Sequence, residues 1–287
     1  MGEAVASPAV VAEEVAVAAE AAASDDRVIA ESRPTVLGTG VTSGTRTELL
    51  SDITAHLMHG DTLLHIATAN PEYVMFARSD PAFAEALTGS EIVTVDGAGL
   101  ALAMRMLHPA VTIERFTGVM LTHDLADISA DIEAGMFLLG AGPGIAEQAG
   151  AILVQQHPGA VIAGTWDDGT PRAEHDAESH ARIRASGATI LLVAYGAPAQ
   201  IHWIHRNRAA LEDAGVRVVV GIGGAFDYIS GNVPWAPSLV RKLGLEWLYR
   251  LAREPWRWRR QLVLPQFVML ILIEFIRTKG DLPRNAR

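Results

Sequence analysis

From Thr62 onward, short apolar runs alternate with stretches of helical period. Leu63 to Ala67 reads as a buried strand, and Pro71 opens a helix after it. Strand and helix then follow as Glu91 to Val95 with Gly97 to Leu107, and a further helix covers Thr117 to Ser129. The next pairs are Met136 to Leu139 with Ile145 to Gln156, and Val161 to Ala163 with Ala173 to Ser186. Thr189 to Val193 with Gln200 to Asp213, and a last strand at Val216 to Val220, complete the series. Strands that alternate with helices predict right-handed βαβ units, an α/β fold with a mostly parallel sheet flanked by helices. Ligands on such sheets sit beyond the carboxyl ends of the strands.

The two ends of the chain break this pattern. Residues 1–33 are rich in Ala, Val and Glu, lack a basic n-region, and read as a weakly ordered extension. A break near Gly231 to Ala236 separates the body, 34–240, from an aromatic and basic helical appendage, 241–287. From Arg241 onward eleven Lys/Arg stand against four Asp/Glu, a net of +7, whereas the preceding part carries −17. A basic tail on an acidic body points to an anionic membrane surface as partner and away from nucleic acid. The tail's strongest apolar run, Phe267 to Ile273, is closed by Glu274. Spanning a bilayer takes about 20 apolar residues, so the expectation is a peripheral contact. Absence of cysteine excludes disulfides, thiolate metal sites and a thiol nucleophile.

Candidate chemistry lies where strands end. Asp96, between Val95 and Gly97, is a carboxylate at a strand tip, fit to act as a general base or to cap its helix. Arg115 can neutralise a diphosphate or close an ion pair. Gln200, at a helix start, can hold a sugar hydroxyl or a base, or simply face solvent. Gly-rich turns at Gly140, Gly142 and Gly144, at Gly196, and at Gly223 and Gly224 let backbone N–H groups approach a phosphate. The Gly140–Gly144 turn with Asp167 beyond it also admits an NAD(P)-dependent Rossmann oxidoreductase, although its third glycine comes one position early. No D-x-D and no His/carboxylate metal set is visible, so no metal site is expected.

In order, the segments read T-A-N-P-E (Thr68 to Glu72), V-D-G-x-G (Val95 to Gly99), E-R-x-x-G (Glu114 to Gly118) and F-L-L-G-x-x-P-G (Phe137 to Gly144). G-x-P-x-Q (Gly196 to Gln200), G-G-x-F-D (Gly223 to Asp227) and G-L-E-W-L-Y-R-L (Gly244 to Leu251) follow, the last with Glu254, Pro255 and Arg257 beyond it. This series resembles the WecG/TagA/CpsF glycosyltransferases, with Ala199 and Ile201 standing where the family commonly has Lys and Glu. The resemblance implies a Rossmann-like fold and metal-independent, inverting transfer of an N-acetylhexosamine or uronic sugar. The implied donor is a UDP-sugar, with no other cofactor, and the implied acceptor a polyprenyl-diphosphate-linked saccharide. It implies Asp96 as base, Thr68 and Asn70 beside the reacting sugar, and Arg115, Gln200 and Asp227 in the donor pocket. Arg250, Arg253 and Arg257 would close over the donor from an appendage that contacts the inner face of the cell membrane. A homo-oligomer and a non-catalytic membrane-associated scaffold remain open alternatives.

Overall fold

The computed structural model describes residues 33–237, 240, 246–253, 258 and 262–280. The weakly ordered extension expected before Arg33 lies outside the described residues, as does Arg257. From Pro34 on, the described residues belong to one compact unit. Its centre is a six-stranded, wholly parallel sheet of β3 (Leu64–Ala69), β4 (Ile92–Val95), β5 (Met136–Gly140), β6 (Ile162–Trp166), β7 (Ile190–Ala194) and β8 (Val218–Gly221). The strand order is β4-β3-β8-β7-β5-β6. Every pairing is parallel, with Leu64 opposite Val218 and Met136 opposite Ile190. A two-residue antiparallel pair, β1 (Thr35–Val36) and β2 (Thr39–Gly40), precedes the sheet.

The strands are apolar runs because helices cover both faces. Alternate residues of β5 divide between the layers: Met136 and Leu138 pack with Leu121 and Leu125 of α5 (Gly118–Ile132) and Leu153 of α6 (Ile145–Gln156). Phe137 and Leu139 pack on the opposite face with Ile183 of α7 (Asp176–Ser186) and Trp203 of α8 (Ala199–Asp213). The same face of the first layer is completed by Leu49 and Ile53 of α1 (Arg46–His59), an element the pattern from Thr62 onward does not include.

Local chemistry sets the helix starts. Asn70 caps α2 (Pro71–Ser79) by accepting the N–H of Tyr73, with Pro71 in the first turn. Asp80 ends that helix and caps α3 (Pro81–Thr88). Gly97, at φ +90°, precedes α4 (Ala98–Leu107), and Thr117 caps α5 through the N–H of Met120. After the short α9 (Ala225–Ile229) come α10 (Glu246–Arg253) and the 18-residue α11 (Val263–Gly280). Phe267 and Ile271 of α11 are buried with Tyr73, Leu100 and Met104, so the appendage is rooted in the core of α2 and α4. No helix among the described residues is long and apolar enough to cross a membrane.

Candidate active site

Four strand ends open into one cleft of about 790 Å³. Thr68 and Asn70 come from the end of β3, Asp96 from β4, Gly196 and Gln200 from beyond β7, and Gly223, Gly224 and Asp227 from beyond β8. Arg115 enters from the loop before α5, and Glu246, Trp247 and Tyr249 of α10 line the same space.

Asp96 is held from two directions. Its backbone N–H donates to the carbonyl of Ala69, tying β4's end to β3. Its carboxylate accepts the N–H of Gly118, the first residue of α5, at 3.3 Å. Asp96 therefore sits at a helix N-terminus, but of α5; Gly97 is the residue that precedes α4. Burial pushes its carboxyl up to about 6, opposed by the Gly118 N–H and the positive charge of Arg115 and reinforced by the negative charge of Glu246. A carboxylate so poised is ionised at pH 7 and has enough proton affinity to take a proton from a hydroxyl.

Glycine at position 118 is a packing requirement. A Cβ there would stand 2.9 Å from the carbonyl oxygen of Ile222 and 3.2 Å from its Cα. The final glycine of E-R-F-T-G lets α5 approach the β8 turn closely enough for its first N–H to reach Asp96.

Gln200 is neither solvated nor free to act as a simple ligand. It is 1% exposed. Its Oε1 accepts the N–H groups of Gly196 and Gly223, both at 3.0 Å, and its Nε2 donates to the Tyr73 hydroxyl at 2.6 Å. Those two glycine amides, expected to face a phosphate, are thus already bonded. Ile201, where the family commonly has Glu, is fully buried against the α2–α3 layer, an environment that an apolar side chain satisfies. Thr68 donates its hydroxyl to the carbonyl of Gly221 at 2.7 Å, and the Asp227 carboxylate accepts from the side chain of Asn232 at 3.1 Å.

Other expected residues fall elsewhere. Gly140, Gly142 and Gly144 do not line the cleft, because β5 is separated from β3 by β7 and β8. Asp167, the acidic partner of a dinucleotide reading, instead accepts the N–H of Gly144. A Cβ at Gly140 would meet the Tyr195 ring at 2.8 Å, which gives this turn a packing role. Arg253 also lies outside the cleft lining, its guanidinium on the hydroxyl and ring of Tyr249. Arg250 lies on α10, and its side chain is outside the described residues.

Aromatic and apolar walls complete the cleft beyond the residues expected there. Trp235 lies against Tyr228 with ring centroids 5.0 Å apart, and both line the cleft with Asp227. Leu102 and Met106 of α4 face Leu264, Val268 and Leu272 of α11 along the same cleft. The Tyr228-Trp235 pair flanking a Gly-Asn-Val-Pro turn was the available signal. Among the described residues, no three His, Asp or Glu side chains are grouped to hold a metal ion.

A wholly parallel sheet whose strand ends open into one cleft holding Asp96 and Arg115 places the protein in the Rossmann-like α/β class. Residues 34–281 match the Glycosyl transferase WecG/TagA/CpsF family, and the chain belongs to it. It is 31% identical over 229 residues to the N-acetylglucosaminyldiphosphoundecaprenol N-acetyl-beta-D-mannosaminyltransferase of Bacillus spizizenii, covering 77% of this chain and 86% of that one. The protein of the same name from Bacillus subtilis is 31% identical over 222 residues, covering 77% of this chain and 84% of that one. The protein is a glycosyltransferase.

Proposed function

We propose that this glycosyltransferase moves an N-acetylhexosamine or uronic sugar from a UDP-sugar to a polyprenyl-diphosphate-linked saccharide, with inversion and without a metal. The observation that carries the reading is the joint placement of Asp96, Arg115 and an apolar wall in one cleft. Asp96 removes the proton from the acceptor hydroxyl. The hydroxyl oxygen attacks the anomeric carbon from the face opposite the diphosphate. The bond from that carbon to the diphosphate oxygen breaks, and UDP leaves with the electron pair. Arg115 meets the charge that develops on the leaving group, the role a metal fills elsewhere. Thr68 and Asn70 border the reacting sugar, and Trp235 with Tyr228 offers a stacking surface for a ring.

Leu102, Val268 and Leu272 are 59%, 55% and 48% exposed, apolar surface suited to a prenyl chain or a bilayer beside the polar cleft. Trp247, Leu248 and Trp258 add exposed apolar surface in the basic tail. Rings at the interface and cations on anionic lipid would hold the enzyme peripherally at the inner membrane face.

The test is a panel of UDP-sugars offered with polyprenyl-diphosphate-linked N-acetylglucosamine. Transfer with release of UDP and inverted anomeric configuration is expected. No transfer from any UDP-sugar in the panel would overturn the assignment of donor.

A further inference from the structure

Arg115 and Glu246 are 131 positions apart in sequence, yet the guanidinium donates to the carboxylate at 2.8 Å. Each side chain is about one-third exposed, at the wall of the cleft that holds Asp96. The Arg115 Nε is buried and has no hydrogen-bond partner among the described residues, so the guanidinium is anchored on one side only. That single anchor belongs to α10. The remainder of the arginine's fork is left for another anion. The backbone of Arg115 bridges to Val95, next to Asp96, so the cation cannot stray far from the carboxylate.

We propose that Glu246 is a positioning residue for the transfer reaction: carried in by α10, it holds Arg115 at the cleft wall and screens that positive charge from Asp96. The inference rests on the transferase reading, in which Asp96 is the base. Glu246 lies in the tail signature, but its use here follows from the ion pair and not from the motif. With α10 docked, Asp96 faces a neutral pair and keeps its proton affinity. With α10 displaced, Asp96 would face an uncompensated guanidinium and become a weaker base. The charged groups that act on Asp96 are Arg115, from the loop before α5, and Glu246, from α10. Glu72 of α2 and Asp227 of α9 are the other carboxylates that line the cleft.

Titration of Asp96 by carboxyl carbon NMR in the full chain, without substrate, tests the coupling directly. The wild-type transition is expected near pH 6. In Glu246→Gln it should move to lower pH by roughly half a pH unit or more, and in Arg115→Gln it should move up. Glu246→Asp should restore most of the wild-type position. The acidic limb of kcat/KM should move with the NMR transition in each variant. A Glu246→Gln transition that stays at the wild-type pH would overturn the proposal. If Glu246→Gln does not fold, an Arg115→Gln transition that fails to rise overturns it as well. Because the titration contains no substrate, it can fail while transfer succeeds, or succeed while transfer fails, and the second result would count against the transferase reading alone.

Discussion

Both carboxylate oxygens of Glu274 accept the backbone N–H of Leu37, at 3.0 and 3.2 Å, across 237 positions of sequence. In the sequence Glu274 is merely the charge that ends an apolar run. In the fold it fastens α11 to the turn between β1 and β2. A charge-assisted bond of this kind contributes about 1–2 kcal/mol. Glu274→Ala should lower unfolding free energy by that amount, read from urea denaturation, and an unchanged midpoint would show that the bond contributes nothing.

Phe267 should matter more. It is 2% exposed among residues of α2 and α4. Phe267→Ala is expected to cost about 3–5 kcal/mol. Val268→Ser, on the exposed face one residue on, should leave stability nearly unchanged while weakening co-sedimentation with anionic vesicles. Equal losses of stability in the two variants would contradict the assignment of faces.

Asp96→Asn removes the proposed base while keeping an acceptor for the Gly118 N–H. Turnover is expected to fall by on the order of 10²–10⁴, with UDP-sugar affinity little altered. In the wild type the ionised form is the active one. Because burial has raised the group to about 6, kcat/KM should be full above that pH and fall tenfold per unit well below it. A flat profile down to pH 4.5 would remove Asp96 from this role.

Gly118→Ala probes how the base is aimed. The added methyl must displace the Ile222 backbone, at a cost of about 1–3 kcal/mol, and draw the α5 amide away from Asp96. Lower stability together with a higher pH for the acidic limb is expected, since the lost N–H favoured the ionised carboxylate. Lower stability with an unmoved limb would limit Gly118 to packing.

Transfer should survive excess EDTA, since no metal-ligand cluster exists among the described residues and Arg115 is proposed to meet the leaving charge. Loss of activity that Mg²⁺ or Mn²⁺ restores would disprove this.

The strands were legible because β5, β7 and β8 are continuous apolar runs, a pattern imposed by helices on both faces. The helix starts at Pro71 and Ile145 were legible from Pro and Gly punctuation, and the start expected at Gln200 falls one residue earlier, at Ala199. By contrast, α1 buries only Leu49 and Ile53 and carries a weak stripe, while β1 and β2 are too short to establish a period. In the site, Asp96, Thr68 and Asn70 could be placed from strand-end position and family resemblance. The exclusion of Gly140, Gly142 and Gly144 could not, because it depends on strand order, which local pattern does not encode. Likewise the pairing of Arg115 with Glu246 depends on where the appendage docks.

Gln200 carries a consequence for how such an enzyme could change its substrate. Rim loops on α/β sheets ordinarily diverge one at a time, each lengthening or shortening on a fixed scaffold. Here one amide fixes the β7 turn, the β8 turn and Tyr73 of α2 at common heights. An insertion in either turn would break the bonds of the other, so grafting a single loop from a relative should yield a disordered rim. New sugar preference is more readily reached through side chains that project from the rim without holding it together, Trp235 and Tyr228 first among them.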